Sequence, residues 1–344
     1  MPQSPLTFPG HLDEVIGMGV PKASPRLWPA TCGEDQPLDP VYIPGGEFAM
    51  GSDEFYPDEA PVRRVSVGAF WIDPYPVTNA RFAEFVDETG YVTVAERDLD
   101  PGMYPGADPS DLVPGALVFT MTSGPVPLTD FRRWWRWVAG ASWRHPLGPG
   151  SDLGGLADHP VVQVAHEDAT AFCEWSGGTL PTEAEWEFAA RGGLDGARFA
   201  WGDEDAQESD PVANTWQGTF PFENSEVDGW TRTSPVGFYP ANGYGLYDMA
   251  GNTWEWTDDW YTEDPASLVG EPSCCTPPDP RGARRQDSFD QAMPGTPIPR
   301  KVVKGGSHLC TPQYCYRYRP AARQPQMIDT GMSHLGFRRI VQGA

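Results

Sequence analysis

Residues 301–323 read Lys-Val-Val-Lys-Gly-Gly-Ser-His-Leu-Cys-Thr-Pro-Gln-Tyr-Cys-Tyr-Arg-Tyr-Arg-Pro-Ala-Ala-Arg. Within this stretch, Cys310 and Cys315 are separated by four residues, one of which is Pro312. On a regular helix or strand, side chains at this spacing point in different directions, and proline interrupts both elements. We therefore expect a turn that brings the two sulfur atoms together. Beyond it, tyrosines alternate with Cys315 and two arginines over residues 314–319, which predicts a strand.

The spacing of this cysteine pair leaves several kinds of site open. The pair could form a structural disulfide, remain as two buried thiols, or belong to a structural zinc site. Structural zinc takes four ligands, however, and the stretch adds only His308 to the two cysteines, which argues against zinc. The remaining alternatives are a redox dithiol and a two-thiolate site for a soft ion such as Cu(I).

Charge and cysteine usage narrow the class of protein. The 344 residues carry 24 Lys and Arg against 48 Asp and Glu, a formal net charge of −24. Such a chain repels nucleic acid and anionic membranes, and it either attracts cationic peptides or uses its charge for solubility. No signal peptide or membrane span is recognisable, so we expect a cytoplasmic protein. Structural disulfides are rare there, which favours the metal and redox interpretations of the pair.

The chain contains 38 Gly, 38 Pro and 14 Trp, which predicts a loop-rich fold with large aromatic anchors. We interpret residues 1–38 as an extended arm and residues 39–344 as one irregular α+β domain, with insertions at about 98–137 and 262–298. Short antiparallel strands, few helices and much coil are expected. The predicted strands cover residues 41–43, 47–50, 62–73 and 159–164. The predicted helices follow Thr78, begin at Asp168 and follow Thr182, the last with a capping box completed by Glu185.

The other cysteines and the aromatic run at 131–137 have simpler interpretations. Cys173 lies on the apolar face of a predicted helix and is a core residue. Cys274 and Cys275 are adjacent and are assigned no chemistry. The aromatic run either lines a peptide groove or anchors an irregular loop in the core.

Several motifs together resemble the formylglycine-generating enzyme, or sulfatase-modifying factor, family. The resemblance extends over residues 41–341, and its fold, related to C-type lectins, is a single irregular domain. The motifs are Ile-Pro-Gly-Gly-Glu-Phe-Ala-Met-Gly at 43–51, Leu-Pro-Thr-Glu-Ala-Glu-Trp-Glu at 180–187, Gly-Tyr-Gly-Leu-Tyr at 243–247, Gly-Asn-Thr-Trp-Glu-Trp at 251–256, Lys-Gly-Gly-Ser at 304–307 and Leu-Gly-Phe-Arg at 335–338.

The resemblance implies an activity and assigns roles to five residues. Enzymes of the family oxidise a cysteine in a Cys-x-Pro-x-Arg segment of an unfolded sulfatase to Cα-formylglycine, with Cu(I), dioxygen and an external reductant. By motif position, Cys310 and Cys315 would hold the copper and Ser307 would be the active-site serine. Trp254 would wall the oxygen pocket and Tyr314 would help to shape it. We expect a monomer that binds neither nucleic acid nor membrane.

The resemblance also implies two structural calcium sites, built from side-chain and main-chain oxygen atoms of the kind that hard cations prefer. By motif position, the first site would use Asn214, Thr215, Asp228 and Trp230. The second would use Asp248, Gly251, Thr253 and Glu255.

Two alternative functions stay open at this stage. One is a catalytically silent module of the same fold that binds a peptide or a glycan. The other is a thiol–disulfide oxidoreductase that uses Cys310 and Cys315 without copper. Residues 98–137 depart from the commoner family pattern, which leaves the peptide preference open.

Overall fold

Short strands, turns and irregular coil make up most of the described residues. The computed structural model describes residues 39–108, 112–205, 211–268, 282–293 and 295–343. Within these ranges the α-helices are α1 Asn79–Thr89, α2 His166–Trp175 and α3 Glu183–Arg191. The strands are β1 Val41–Ile43, β2 Gly46–Met50, β3 Arg63–Val67, β4 Phe70–Ile72, β5 Gly115–Phe119, β6 Trp135–Ala139, β7 Trp254–Trp260, β8 Arg300–Lys304, β9 Arg323–Met327, β10 Leu335–Gly336 and β11 Ile340–Gln342.

The strands form small sheets of mostly antiparallel pairs. One sheet has the order β10-β7-β8-β9, with β10 parallel to β7 and the other pairs antiparallel. A second has the order β1-β4-β11 and joins the first strands to the last. The hairpins β2–β3 and β5–β6 stand beside them. The predicted α+β class with few helices, short strands and much coil is confirmed.

The predicted helix starts rest on local hydrogen bonds, and two of the three are confirmed. The Thr78 hydroxyl accepts the Arg81 N–H at 3.3 Å and caps α1. Thr182 and Glu185 form the predicted capping box of α3. The remaining helix, α2, begins at His166, two residues before the predicted start at Asp168. The Asp168 carboxylate instead accepts the Ala165 N–H from inside the first turn.

Three predicted strands differ from the structure. Residues 159–164 form no strand, because Pro160 makes only an isolated bridge and Gln163 has a φ of 63°. Residues 62–73 divide into β3 and β4. Residues 314–319 form turn and coil, because the Cys315 N–H bonds back to the Thr311 carbonyl and the Tyr316 N–H bonds to the Tyr56 hydroxyl instead of to a neighbouring strand. The arm 1–38 and the pair Cys274–Cys275 lie outside the described residues.

Two apolar clusters form most of the core. One contains α1, α2 and the cysteine turn, and includes Cys173 as predicted. The other packs α3 against β2, β3 and β4. Among the described residues, no helix is both long enough and apolar enough to cross a membrane.

Buried ion pairs join the β10-β7-β8-β9 sheet to helix α3 and to the segment that follows β10. The Lys304 ammonium lies 3.0 Å from the Glu187 carboxylate, and both side chains are fully buried. Burial alone would raise the pKa of Glu187, but Lys304, Arg191 and the Gly51 N–H together lower it to about 2. In β7, the Glu255 carboxylate accepts two hydrogen bonds from Arg338 at 2.6 and 2.7 Å. These two pairs therefore fix the sheet against α3 and against the segment that contains Arg338.

The substitution Arg338→Leu should strongly destabilise the protein, because it leaves the Glu255 charge buried without its partner. Removing one member of a buried pair costs about 3–5 kcal/mol, which urea denaturation would measure. The matched control is Arg284→Leu, since Arg284 forms an exposed pair with Asp287. Equal effects of the two substitutions would contradict this account of the buried pair.

Candidate active site

An aromatic cavity of about 240 Å³ opens beside the cysteine turn. Its wall brings together segments that are far apart in the sequence, from the β2–β3 connection to the C-terminal region. The lining residues are Tyr56, Trp134, Trp135, Phe220, Trp254, Ser307, Leu309, Cys310, Tyr314, Cys315, Arg317, Gln324 and His334. The five residues that the resemblance assigned to the active site all lie in this wall.

The turn itself sets the distance between the sulfur atoms. The Cys315 N–H donates to the Thr311 carbonyl at 2.9 Å, and the Thr311 N–H donates to the Cys315 carbonyl at 3.1 Å. The two Sγ atoms are then 3.0 Å apart, as free thiols. Cys310 is buried and Cys315 is half-buried, so Cys315 is the more accessible of the two. The Ser307 N–H donates to Cys310 Sγ at 3.4 Å.

The two thiols differ in acidity. The hydrogen bond between the two sulfur atoms, with the charges of Arg317 and Arg319, lowers the pKa of Cys315. Burial, followed by the interaction with Cys315, raises the pKa of Cys310. When Cys315 ionises, the pair therefore holds one proton between its two sulfur atoms.

Aromatic rings form the wall opposite the sulfur atoms. Tyr314 stacks on Phe220 with 4.7 Å between ring centroids and meets the edge of Trp134 at 5.2 Å. Trp135 packs against His334 at 4.6 Å. The core-anchor interpretation of the 131–137 run fits Trp134, which is fully buried and also lines the cavity, whereas the peptide-groove interpretation stays a prediction.

A short segment before β3 anchors the residues that follow Cys315. Arg319 makes a buried bidentate pair with Glu59 at 2.6 and 2.8 Å. Arg317 reaches Asp58 at 3.2 Å. The Tyr316 N–H donates to the Tyr56 hydroxyl at 3.0 Å. These contacts span about 260 residues of sequence, so the chain around Cys315 is fixed from a distance.

Sequence reasoning missed part of this wall, chiefly Tyr56, Phe220 and His334. Each is a single residue outside any motif, and only the folded chain places it near the cysteines. Trp134 and Trp135 could be found from the sequence, because they belong to the aromatic run at 131–137, for which a peptide groove is one of the two interpretations.

The first predicted calcium set lies around the half-buried carboxylate of Asp228. Asp228 accepts hydrogen bonds from the Tyr239 hydroxyl at 2.6 Å and the Trp230 N–H at 3.0 Å. Burial raises the pKa of Asp228. Asn214 and Thr215 are buried, and the Asn214 side chain donates to the Arg232 carbonyl at 2.8 Å. Asp228 accepts hydrogen bonds but forms no ion pair among the described residues, so its charge is one that a cation would neutralise.

The second predicted set adjoins the first at Gly251. The backbone of Gly251 lies so close to Asn214 that a Cβ atom added to this glycine would be only 2.2 Å from the Asn214 carbonyl oxygen. Burial raises the pKa of Asp248 to about 6. The buried Thr253 hydroxyl has no hydrogen-bond partner among the described residues. The Glu255 carboxylate accepts hydrogen bonds from Arg338 and Trp186, so a calcium ion held by Glu255 would share this carboxylate with them.

The residues at the cysteine turn fit a two-thiolate metal site better than a structural zinc site. Throughout the described ranges, no group of three or more His, Cys, Asp and Glu side chains could hold a metal ion. Zinc would need further protein ligands, whereas Cu(I) accepts two soft thiolates.

Comparison with known proteins identifies the family. The Sulfatase-modifying factor enzyme 1-like domain matches residues 29–342. The chain is 55% identical over 302 residues to a formylglycine-generating enzyme of Mycobacterium tuberculosis, covering 87% of this chain and 96% of that protein. It is 44% identical over 313 residues to the inactive Cα-formylglycine-generating enzyme 2 of Bos taurus, covering 89% of both chains. The structure of PvdO from Pseudomonas aeruginosa shares the fold, with a TM-score of 0.57 at 22% identity, covering 88% of this chain and 94% of that one.

The substitution Cys310→Ala should raise the pKa of Cys315, because it removes the hydrogen bond that stabilises the thiolate. The pH midpoint for alkylation of Cys315 by iodoacetamide, followed by peptide mass spectrometry, should move upward. Cys173 serves as the internal control and should stay unmodified, since burial raises the pKa of its thiol. An unchanged midpoint would show that the arginines alone set the acidity of Cys315.

Proposed function

The chain belongs to the sulfatase-modifying factor enzyme family, and we propose that it oxidises a cysteine of a sulfatase polypeptide to Cα-formylglycine. The observation that carries this proposal is the pair of free thiols, Cys310 and Cys315, whose sulfur atoms lie 3.0 Å apart in an aromatic cavity. The substrate would be an unfolded segment of the Cys-x-Pro-x-Arg type. A cavity of about 240 Å³ suits a side chain and its immediate neighbours rather than a folded domain.

Cu(I) would be held by the two cysteine sulfurs. When bound, copper supplies a soft centre at which a substrate thiolate can bind and at which dioxygen can be reduced. The Ser307 N–H holds the Cys310 sulfur in place. Arg317, 15% exposed at its side chain, adds positive charge beside Cys315 and so favours its thiolate form.

The remaining wall residues would orient the substrate and keep water away. Trp254 is buried beside the sulfurs, and Tyr314 extends the wall toward the solvent. Rings fixed by stacking on one another present a rigid surface to the substrate. The narrow space would hold the β-carbon of the substrate cysteine near the two sulfurs.

The overall conversion requires a second source of electrons. Turning a –CH₂SH group into an aldehyde and hydrogen sulfide removes two electrons from the substrate. Complete reduction of dioxygen to water takes up four electrons. An external reductant, such as a thiol, would therefore supply the other two, and the balance leaves one molecule of water besides hydrogen sulfide.

The similarity to a relative named inactive keeps a silent binding module as the second candidate. Such a module would bind the same segment without changing it. The free cysteine pair favours the enzyme, because binding alone would not require two thiols at contact distance.

Cys310→Ser and Cys315→Ser should each abolish peptide oxidation, since a hydroxyl stays protonated at neutral pH and is a poor ligand for Cu(I). Cys274→Ser and Cys275→Ser are the controls and should retain most of the activity. Mass spectrometry of a Cys-x-Pro-x-Arg peptide would report aldehyde formation. A wild-type protein that binds the peptide but leaves it unmodified, with copper and reductant present, would support the silent module instead.

A Cu(I) chelator separates the copper mechanism from thiol–disulfide exchange. Wild-type turnover in air should stop on chelation and return when copper is restored, with oxygen consumed in step with aldehyde formed. Turnover that survives thorough copper removal would exclude copper from the reaction.

We also propose calcium at the two oxygen sets, with Asp228, Asp248 and Glu255 as the charged ligands. EDTA should lower the melting temperature of the wild-type protein. At a hundred times its Kd, a bound ion stabilises the folded state by about 2.7 kcal/mol. Asp248→Asn should weaken the EDTA effect, whereas Asp130→Asn should preserve it, since Asp130 pairs with Arg132 at the surface. An unmoved wild-type melting curve would rule out both sites.

A further inference from the structure

We infer that Tyr56 donates a hydrogen bond to the sulfur of the substrate cysteine and so helps to select a thiolate at this site. The inference rests on the function proposed above. It concerns a residue that lies more than 250 positions away from the cysteine pair in the sequence and belongs to none of the motifs.

The position of the Tyr56 hydroxyl is set by the backbone beside Cys315. The hydroxyl oxygen accepts the Tyr316 N–H at 3.0 Å, and this amide directly follows Cys315. The phenol therefore lies one peptide unit away from the more acidic cysteine. Tyr56 also contributes to the wall of the cavity that contains both sulfur atoms.

The ring of Tyr56 is held in place by Arg317, which also lines the cavity. The Arg317 guanidinium lies over it, 3.8 Å from the ring centroid. Two residues further along, Asp58 pairs with Arg317 and accepts a hydrogen bond from the Tyr261 hydroxyl at 3.1 Å. Glu59, next to Asp58, forms the buried pair with Arg319. A ring fixed in this way has few rotamers in which its hydroxyl leaves the cavity.

The Tyr56 hydroxyl has a proton to donate. Its oxygen accepts from Tyr316, but among the described residues it donates to no protein atom, and neither cysteine sulfur is its acceptor. A phenol titrates near pH 10 and remains protonated at neutral pH. Its proton is therefore available to whatever occupies the cavity.

A substrate thiolate is the acceptor that this arrangement favours. Under the proposed function, the substrate sulfur enters the cavity beside Cys310 and Cys315, within the region that Tyr56 borders. Hydrogen bonds to a charged acceptor are stronger than those between neutral groups. Tyr56 would thus favour the thiolate over a neutral side chain of similar size.

A double-mutant cycle between protein and peptide tests this contact. The protein is wild type or Tyr56→Phe, and the fluorescent peptide carries Cys-x-Pro-x-Arg or Ala-x-Pro-x-Arg. Dissociation constants are measured by anisotropy with Cu(I)-loaded protein under anaerobic conditions, so that no turnover occurs. Phenylalanine keeps the ring under Arg317. Any loosening caused by the lost Tyr316 bond affects both peptides equally and cancels in the cycle.

We expect Tyr56→Phe to weaken binding of the cysteine peptide by about tenfold and binding of the alanine peptide by less than about twofold. The matched control is Tyr261→Phe, which removes another hydroxyl that anchors the same segment but lies outside the cavity wall. It should affect both peptides alike. Equal copper stoichiometry in all variants, measured by competition with a chromophoric chelator, shows that the metal site is unchanged.

The outcomes separate this inference from the proposed function. If wild-type protein prefers the cysteine peptide and Tyr56→Phe retains the full preference, the assignment of Tyr56 is wrong while the proposed function stands. If wild-type protein shows no preference for the cysteine peptide, the proposed function fails and this inference fails with it. A preference lost equally in Tyr56→Phe and Tyr261→Phe would make Tyr56 an anchor of the segment rather than a contact to the sulfur.

Discussion

The buried ion pairs are the interactions on which the rest of this structure depends. With few long helices or strands, the backbone cannot position its loops by regular hydrogen bonding alone. Lys304, Arg319 and Arg338, all fully buried, each meet a buried carboxylate on a distant segment. A buried charge tolerates only the arrangement that pairs it, so each pair fixes two distant segments against one another. Desolvating both charges costs free energy that their attraction largely cancels, so these pairs select one arrangement more than they add stability.

This constraint explains how an irregular chain can present a defined cavity. The cysteine turn sets the distance between the sulfur atoms, whereas the pair Arg319–Glu59 sets where the following residues run. The same segment before β3 then contributes Tyr56 to the cavity wall. The site is thus a consequence of long-range pairing as much as of the local motif that contains its cysteines.

The difference between local and long-range determinants also decides what could be predicted. The caps at Thr78 and Thr182 were predictable, because all the partners lie within four residues. The turn between the cysteines was predictable from spacing and proline. The strand expected at 314–319 was wrong, since periodicity does not reveal that its arginines pair with Asp58 and Glu59. Tyr56 and His334 reach the site only through tertiary structure, and nothing in their local sequence indicates it.

The charge of the cysteine pair helps to distinguish between two kinds of chemistry, the binding of a soft metal ion and thiol–disulfide exchange. When Cys315 is ionised and Cys310 retains the proton, the pair carries one negative charge, which Arg317 faces. Replacing that proton by a monovalent soft cation leaves the charge of the site unchanged, whereas a divalent ion would neutralise it. Thiol–disulfide exchange needs an accessible thiolate that can attack another disulfide. Here Cys310 is buried and Cys315 opens into a narrow aromatic cavity, an arrangement that supports the proposed soft-ion site better than it supports exchange with a partner protein.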